Sequence, residues 1–273
     1  MEPQSTYDLD YTRRTFQRIK RLGGETLIFD RVHIIGEENL HKNPERQRLY
    51  LANHLSHADY MIIWFKFHEK GIKMPMIPAG KNLDQLFFRL ISCDFSKMGG
   101  FWVDRELLKS NINGATSHGR QIRRSVEAAL KNKQDLLIFP EGGRSYQGTI
   151  IDSFLTGAVR AVLKEETDLD LTNIAFAYNP RIEEPVFPRL AEHRTKKGPK
   201  YKLWDYIAFA RRLIEKRFHN VGDAYMNVSE PRPLIKIVEE GELKKRVENL
   251  RQYSTQEIRR LYEEISQPHQ NSR

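Results

Sequence analysis

A short apolar run that ends in a polar, glycine-containing segment constrains the fold of this chain most. Leu136, Leu137 and Ile138 have the character of a buried strand, and residues 139–146 then read Phe-Pro-Glu-Gly-Gly-Arg-Ser-Tyr. Proline and paired glycines do not continue such a strand, and open α/β sheets bind ligands beyond the carboxyl ends of their strands. The pattern predicts a strand exit that carries chemistry, although a tight turn with a surface salt bridge would produce the same residues.

A second strand-like run, residues 48–52, also ends in a polar segment, Asn-His-Leu-Ser-His-Ala-Asp. Ser56 and Asp59 have the spacing of a helix capping pair, which leaves a purely structural interpretation of Asp59 open. The same geometry brings the Asp59 carboxylate within reach of His54. A carboxylate there fixes the imidazole tautomer and stabilises the imidazolium, so His54 is the candidate general base and Asp59 its orienting partner.

Strand-like and helix-like segments alternate along the rest of the chain. We predict helices at 11–21, 60–69, 117–131, 154–163 and 243–265, and strands at 27–35, 48–52, 74–79, 101–103, 135–138, 174–178 and 225–229. This alternation predicts a single α/β domain with a mainly parallel mixed sheet flanked by helices. We place a helical N-terminal segment at residues 1–26, the α/β domain at 27–235, and a charged C-terminal helix with a frayed tail at 236–273.

Charge and cysteine content narrow the possible partners. The 273 residues include 45 Lys and Arg against 36 Asp and Glu, a net charge of +9. Such an excess suits phosphate substrates, acidic carrier proteins or anionic headgroups. No aromatic and glycine signature of RNA binding accompanies it, so we expect no nucleic-acid partner. The single cysteine, Cys93, rules out an internal disulfide and fits a reducing compartment.

No segment predicts a membrane span. Apolar runs fall short of the roughly 18 to 20 residues that cross a bilayer, and the first ten residues are too polar and acidic for a signal peptide. We therefore expect a cytoplasmic protein whose membrane contact, if any, is peripheral. The apolar cluster at 83–102 is one candidate for this contact, with a core helix and loop as the alternative. The basic stretch at 185–202 is a second candidate, as a loop that docks on lipid headgroups or on an acidic acyl carrier, with a solvated charged loop as the alternative.

Three segments together resemble the glycerolipid acyltransferases, over roughly residues 32–235. His54 and Asp59, separated by four residues, look like the first block of that family. Residues 99–105, Gly-Gly-Phe-Trp-Val-Asp-Arg, and residues 139–145 are similar to its second and third blocks. One such block is weak evidence, whereas three in the right order are specific.

Finer details resemble the glycerol-3-phosphate and dihydroxyacetone-phosphate acyltransferases. These are the run Ile-Pro-Ala-Gly-Lys-Asn-Leu at 77–83 and the double glycine Gly142-Gly143, where lysophosphatidate acyltransferases more often have Gly-Thr. Val103 and Asp104 depart from the second block, and the strand at 174–180 lacks the usual early proline. These departures leave the acceptor open.

The resemblance implies transfer of a fatty acyl group from acyl-CoA or acyl carrier protein to the hydroxyl of glycerol-3-phosphate, without a cofactor. Arg105, Arg144 and Lys81 would bind the acceptor phosphate, and a second group would shape the pocket: Glu141, Gly142, Gly143 and Ser145. Lysophosphatidate is the alternative acceptor, and a non-catalytic module that binds phosphate or lipid headgroups is the second alternative. We predict no metal, because His54, His57 and Asp59 lack an evident further ligand.

Overall fold

The structure, a computed structural model, describes residues 8–21, 23–80, 94, 96–103, 112–145, 150–151, 153–165, 168–182, 184 and 200–266. Its helices are α1 (Leu9–Arg21), α2 (Ala58–Glu69), α3 (Ile112–Lys131), α4 (Gly157–Lys164), α5 (Lys200–Phe218), α6 (Leu234–Val238) and α7 (Leu243–Ser266). Its strands are β1 (Val32–Ile35), β2 (Arg48–Ala52), β3 (Ile77–Gly80), β4 (Gly100–Val103), β5 (Leu136–Ile138), β6 (Asp170–Asn179), β7 (Asp223–Val228) and β8 (Arg232–Pro233).

The main sheet has the strand order β1-β7-β6-β2-β5, with β8 paired to β6. The pairs β1–β7, β2–β5 and β2–β6 are parallel, and β7 and β8 run antiparallel to β6. Strands β3 and β4 form a parallel pair that is joined to β5 through a bridge between Met76 and Leu136. The predicted α/β class with a mainly parallel mixed sheet is confirmed.

The sheet is covered on both faces, as parallel strands require. Alternate residues of β2 point to opposite faces, so Tyr50 joins one core and Leu49 and Leu51 join the other. Helices α1 and α2 cover the first core, for example through Phe16 and Ile63. Helices α3, α4 and α7 cover the second core, so the helices at both ends of the chain pack on the same sheet.

One predicted strand starts too early and one helix was not predicted, and each difference has a physical reason. The strand expected from residue 27 begins only at Val32, because Gly24–Leu27 forms a 3₁₀ turn and Ile28 and Phe29 enter the core from an irregular segment. Helix α5 was missed. Among the α5 side chains that the structure describes, the buried ones are Ala208 and the polar Arg212, whereas the large apolar ones are exposed. This part of the helix therefore shows no inward apolar stripe of the kind that marks most helices.

Further comparisons concern ends and boundaries. Strand β6 starts four residues before the predicted segment 174–178, and α2 starts at Ala58 rather than residue 60. In the described part of the chain, none of the helices combines the length and the apolar character needed to cross a bilayer. The domain boundaries at residues 26 and 235 stay predictions.

Candidate active site

The two polar segments that follow β2 and β5 meet at one edge of the sheet. Strands β2, β5 and β6 are parallel, so their carboxyl ends share that edge. The backbone N–H of His54 donates to Oε1 of Glu141 at 2.9 Å, and the N–H of Ser145 donates to the carbonyl oxygen of His54 at 2.8 Å. The segment after β5 thus holds His54 on both sides of its backbone.

His54 and Asp59 form a buried pair. Nδ1 of His54 lies 2.7 Å from Oδ2 of Asp59, whose side chain is fully buried. The same oxygen accepts the N–H groups of Leu55 at 2.8 Å and Ser56 at 3.1 Å. The capping interpretation and the dyad interpretation are therefore compatible, since one carboxylate both ties down the start of α2 and orients the imidazole. With the Nδ1 proton directed at Asp59, Nε2 is the atom that can accept a proton.

A tyrosine that sequence reasoning did not nominate completes the carboxylate's surroundings. The hydroxyl of Tyr178, near the end of β6, donates to Oδ1 of Asp59. The Tyr178 ring stacks on that of Phe29 with centroids 5.5 Å apart. The sequence held one indication of this role, the position of Tyr178. A polar residue near the end of a strand that neighbours β2 lies close to the start of α2.

The surroundings of His54 favour its neutral form. Burial lowers the pKa of His54 below its ordinary value, and the charges of Arg144 and His57 lower it further, against the raising effect of Asp59. The ring of Phe139 stacks on the imidazole with centroids 4.4 Å apart and planes 26° apart. A neutral imidazole is the form that a general base needs at neutral pH.

His57 belongs to a separate contact. The hydroxyl of Tyr60 lies 3.0 Å from Nδ1 of His57, which is half-buried at the start of α2. Its ring is packed edge-on against Tyr60, with centroids 5.9 Å apart. Of the two histidines in the segment, His54 is the one that pairs with Asp59.

Glycine is required at position 142. Gly142 has φ of +66°, and a Cβ there would lie 2.1 Å from Cδ1 of Leu155. Its N–H donates to the carbonyl oxygen of Phe139 at 3.0 Å and so closes the turn after β5. This amide is engaged inside the turn, so Gly142 contributes shape to the site.

Arg144 and Ser145 are both buried in this turn, with Gly143 half-exposed before them. The carbonyl oxygen of Ser145 accepts a hydrogen bond from Nη1 of Arg181 at 3.1 Å. Arg144 is close enough to act on the pKa of His54. The structure therefore brings His54, Asp59 and the segment from Glu141 to Ser145 into one site.

Two predicted phosphate ligands, Lys81 and Arg105, lie outside the described residues, as do most of the apolar cluster at 83–102 and most of the basic stretch at 185–202. Within the described part of the chain, no three His, Cys, Asp or Glu side chains form a candidate metal-binding group.

The fold and the site define a class: α/β proteins with a mainly parallel sheet and a buried histidine–carboxylate pair beyond the carboxyl ends of the strands. Comparison with known protein families shows which family within that class the chain belongs to. The family model described as Acyltransferase matches residues 31–177, more than half of the sequence. The chain belongs to the acyltransferase family.

Individual relatives are distant. A glycerol-3-phosphate acyltransferase of Shewanella sp. (strain ANA-3) is 24% identical over 210 residues, which are 75% of this chain and 24% of that protein. One of Hamiltonella defensa is 26% identical over 187 residues, 67% of this chain and 21% of that protein. The matched region thus spans about a quarter of these relatives.

A solved structure shares the fold. The crystal structure of a 1-acyl-sn-glycerophosphate (LPA) acyltransferase from Thermotoga maritima superposes with a TM-score of 0.51 at 20% identity, covering 94% of this chain and 80% of that one.

Proposed function

We propose that this protein transfers a fatty acyl group from acyl-CoA or acyl carrier protein to the hydroxyl of glycerol-3-phosphate, a step of phospholipid synthesis. The observation that carries the proposal is the 2.7 Å contact between Nδ1 of His54 and Oδ2 of Asp59. Membership of the acyltransferase family supports the reaction type. The names of the curated relatives and the double glycine Gly142-Gly143 support the acceptor.

In the proposed reaction, Nε2 of His54 accepts the proton of the acceptor hydroxyl while that oxygen attacks the thioester carbonyl. The tetrahedral intermediate then expels the thiolate of the donor, which takes the proton from the imidazolium, leaving an ester and a free thiol. Asp59 stabilises the imidazolium. An acyl-enzyme is unnecessary because the thioester is already activated.

The acceptor phosphate would be held by Arg144, together with Arg105 and Lys81. A guanidinium can bind two phosphate oxygens at once, which fixes orientation as well as charge. Such positioning turns a bimolecular attack into one that is effectively intramolecular. Glu141, Gly142, Gly143 and Ser145 would shape the wall of the pocket.

The first test is acyl transfer itself. The protein is incubated with glycerol-3-phosphate and a labelled long-chain acyl-CoA, and then with an acyl carrier protein donor, and we expect a labelled lysophosphatidate. His54→Ala should lower turnover by about two to four orders of magnitude, the usual contribution of a general base.

His57→Ala is the matched control and should be much milder, because His57 contacts Tyr60 rather than Asp59. A dead His57 variant beside an active His54 variant would reverse the assignment. Absence of transfer from both donors to every phosphorylated acceptor would favour a module that binds phosphate or headgroups.

The second test concerns the acceptor. Glycerol-3-phosphate offers little besides its phosphate, so Arg144→Ala should raise its KM or abolish turnover while the KM of the acyl donor changes little. Arg144→Lys should restore activity only in part. Lysophosphatidate would retain affinity through its acyl chain, at about 0.8 kcal/mol per buried methylene.

A competition assay with both acceptors at equal concentration decides between them. A preference for lysophosphatidate of tenfold or more would identify the alternative acceptor and leave the roles of His54 and Asp59 intact.

A further inference from the structure

Helix α5 is fixed in rotation by the side chains on its inner face. Arg212, which is 5% exposed, donates from Nε to the carbonyl oxygen of Ile28 at 3.0 Å and from Nη2 to that of Pro180 at 3.3 Å. One turn further, Lys216 forms an ion pair with Asp30. Because these contacts hold one face of α5 against the protein, the opposite face must point outward.

The outward face carries large apolar side chains. Ile207, Ile214 and Phe218 are 40%, 62% and 69% exposed, and Leu213 is 38% exposed. Spacings of seven and four residues align Ile207, Ile214 and Phe218 in one stripe along the helix. Among the residues that the structure describes, eight large apolar side chains are exposed, and four of them belong to α5. Such a concentration marks an interaction surface, whereas scattered single residues would not.

Basic side chains flank the stripe. At about 100° per residue, Arg211 and Arg217 lie on opposite sides of Ile214, and both are exposed. Arg211 also pairs with Glu215 at 2.5 Å, which holds its stem beside the stripe. An apolar stripe bordered by arginines is complementary to a lipid surface, where the apolar residues enter the acyl region and the guanidinium groups meet anionic headgroups.

The position of α5 relates this surface to the site. Pro180, which accepts a hydrogen bond from Arg212, follows β6 at the edge where the dyad lies. The ring of Phe29 connects α5 to the site. The guanidinium carbon of Arg212 lies 5.8 Å from the centroid of this ring, and the ring of Tyr178 stacks on it. We propose that the outward face of α5, formed by Ile207, Ile214 and Phe218 with Arg211 and Arg217, docks on an anionic phospholipid surface.

The test is co-sedimentation of the full chain with vesicles of phosphatidylcholine that contain phosphatidylglycerol, compared with vesicles of phosphatidylcholine alone. Wild-type protein should pellet with the anionic vesicles, and added salt should release part of it. The double variant Ile214→Ser/Phe218→Ser should bind at least about tenfold more weakly, since burying either side chain contributes about a factor of ten or more. Arg211→Gln/Arg217→Gln should remove the preference for the anionic vesicles.

Ile235→Ser is the matched control, because Ile235 is also exposed, at 52%, but lies on α6. It should bind like wild type. Wild-type protein that ignores anionic vesicles, or equal binding by the serine double variant, would overturn the proposal. If the wild type is a dimer without vesicles and the serine double variant is a monomer, a second copy of the chain covers the stripe, and this result also refutes lipid docking.

Vesicle binding and acyl transfer are separate measurements. Lipid docking uses none of the residues proposed for catalysis, so a failure of one proposal is distinguishable from a failure of the other.

Discussion

Asp59 uses both of its carboxylate oxygens, each for a different part of the chain. Oδ2 accepts from the His54 ring and from two backbone N–H groups of the same segment, and Oδ1 accepts from Tyr178. If a buried carboxylate accepted a hydrogen bond from His54 alone, its remaining lone pairs would lack donors, and the folded state would be less stable. The arrangement keeps the carboxylate buried and fixed in orientation, as the proposed partner of a general base requires.

Tyr178→Phe should lower kcat by about tenfold, equal to roughly 1.4 kcal/mol of transition-state stabilisation. The phenyl ring retains the stack on Phe29, while Oδ1 of Asp59 loses its donor. Because Tyr178 no longer shares the negative charge, Asp59 should attract the imidazolium more strongly, and the acidic limb of the pH–rate profile should move to higher pH. The profile and kcat are measured with saturating substrates.

Tyr225→Phe removes a hydroxyl from the neighbouring strand β7 and is the control. Tyr225 stacks on His33, so its variant should keep the wild-type profile. If the acidic limb of the Tyr178→Phe variant stayed unchanged or moved to lower pH, a positioning role would be contradicted. Tyr178 would then contribute only through the packing of its ring.

The acidic limb of kcat/KM should lie below pH 6.5, the ordinary pKa of histidine. Burial lowers the pKa of His54, with contributions from Arg144 and His57 against the effect of Asp59. A base works only when neutral, so activity is lost as pH falls through this lowered pKa. Arg144→Gln removes a positive charge beside the imidazole and should move the limb upward, even though acceptor binding also weakens. A limb above 6.5, or a downward shift in that variant, would contradict this account.

At the scale of elements, Asn53 extends the contact between β2 and β6 beyond the last residue of β2. Its side-chain Nδ2 donates to the carbonyl oxygen of Phe176 at 3.0 Å, and its Oδ1 accepts the N–H of Phe176 at 2.7 Å. The amide side chain thus imitates a strand backbone. It lets the main chain leave the sheet toward His54, while the backbone N–H and carbonyl of Phe176 keep hydrogen-bond partners.

Asn53→Ala should destabilise the fold by about 2–6 kcal/mol, because it leaves a buried N–H and a buried carbonyl of Phe176 without these partners, at about 1–3 kcal/mol each. Chemical denaturation measures the change. Asn220→Ala, at an exposed position in the turn before β7, is the control and should change stability by no more than about 0.5 kcal/mol. Equal stabilities for the two variants would refute the role given to Asn53.

At the scale of the whole molecule, the helices at both ends of the chain complete the two cores. The predicted charged C-terminal helix, α7, buries Val247, Leu250, Ile258, Leu261 and Ile265 against the second core. Its charges pair on the outer face, as Arg260 does with Glu257 and Glu264. Because both faces of the sheet are covered, its carboxyl edge is where a site can form without opening a core.

Local geometry explains what was predictable from sequence. His54 and Asp59 are five residues apart, and their contact lies within one short segment, the loop that leads into α2. The alternation of apolar runs and helical periods likewise predicted the α/β class, because the two periodicities differ. The residue types at 139–145 allowed this block to be recognised in the sequence, whereas the hydrogen bonds that Glu141 and Ser145 make with His54 could not be predicted from it.

Tertiary structure alone decided which distant segments meet. Glu141 is 87 residues from His54 and Tyr178 is 119 from Asp59, and both contacts follow from the placement of β2 between β5 and β6. Periodicity indicates which face of a strand is buried but not which strand lies beside it. For the same reason the sequence did not reveal α5, whose polar Arg212 faces inward and whose exposed apolar stripe becomes visible only when the helix is seated on the protein.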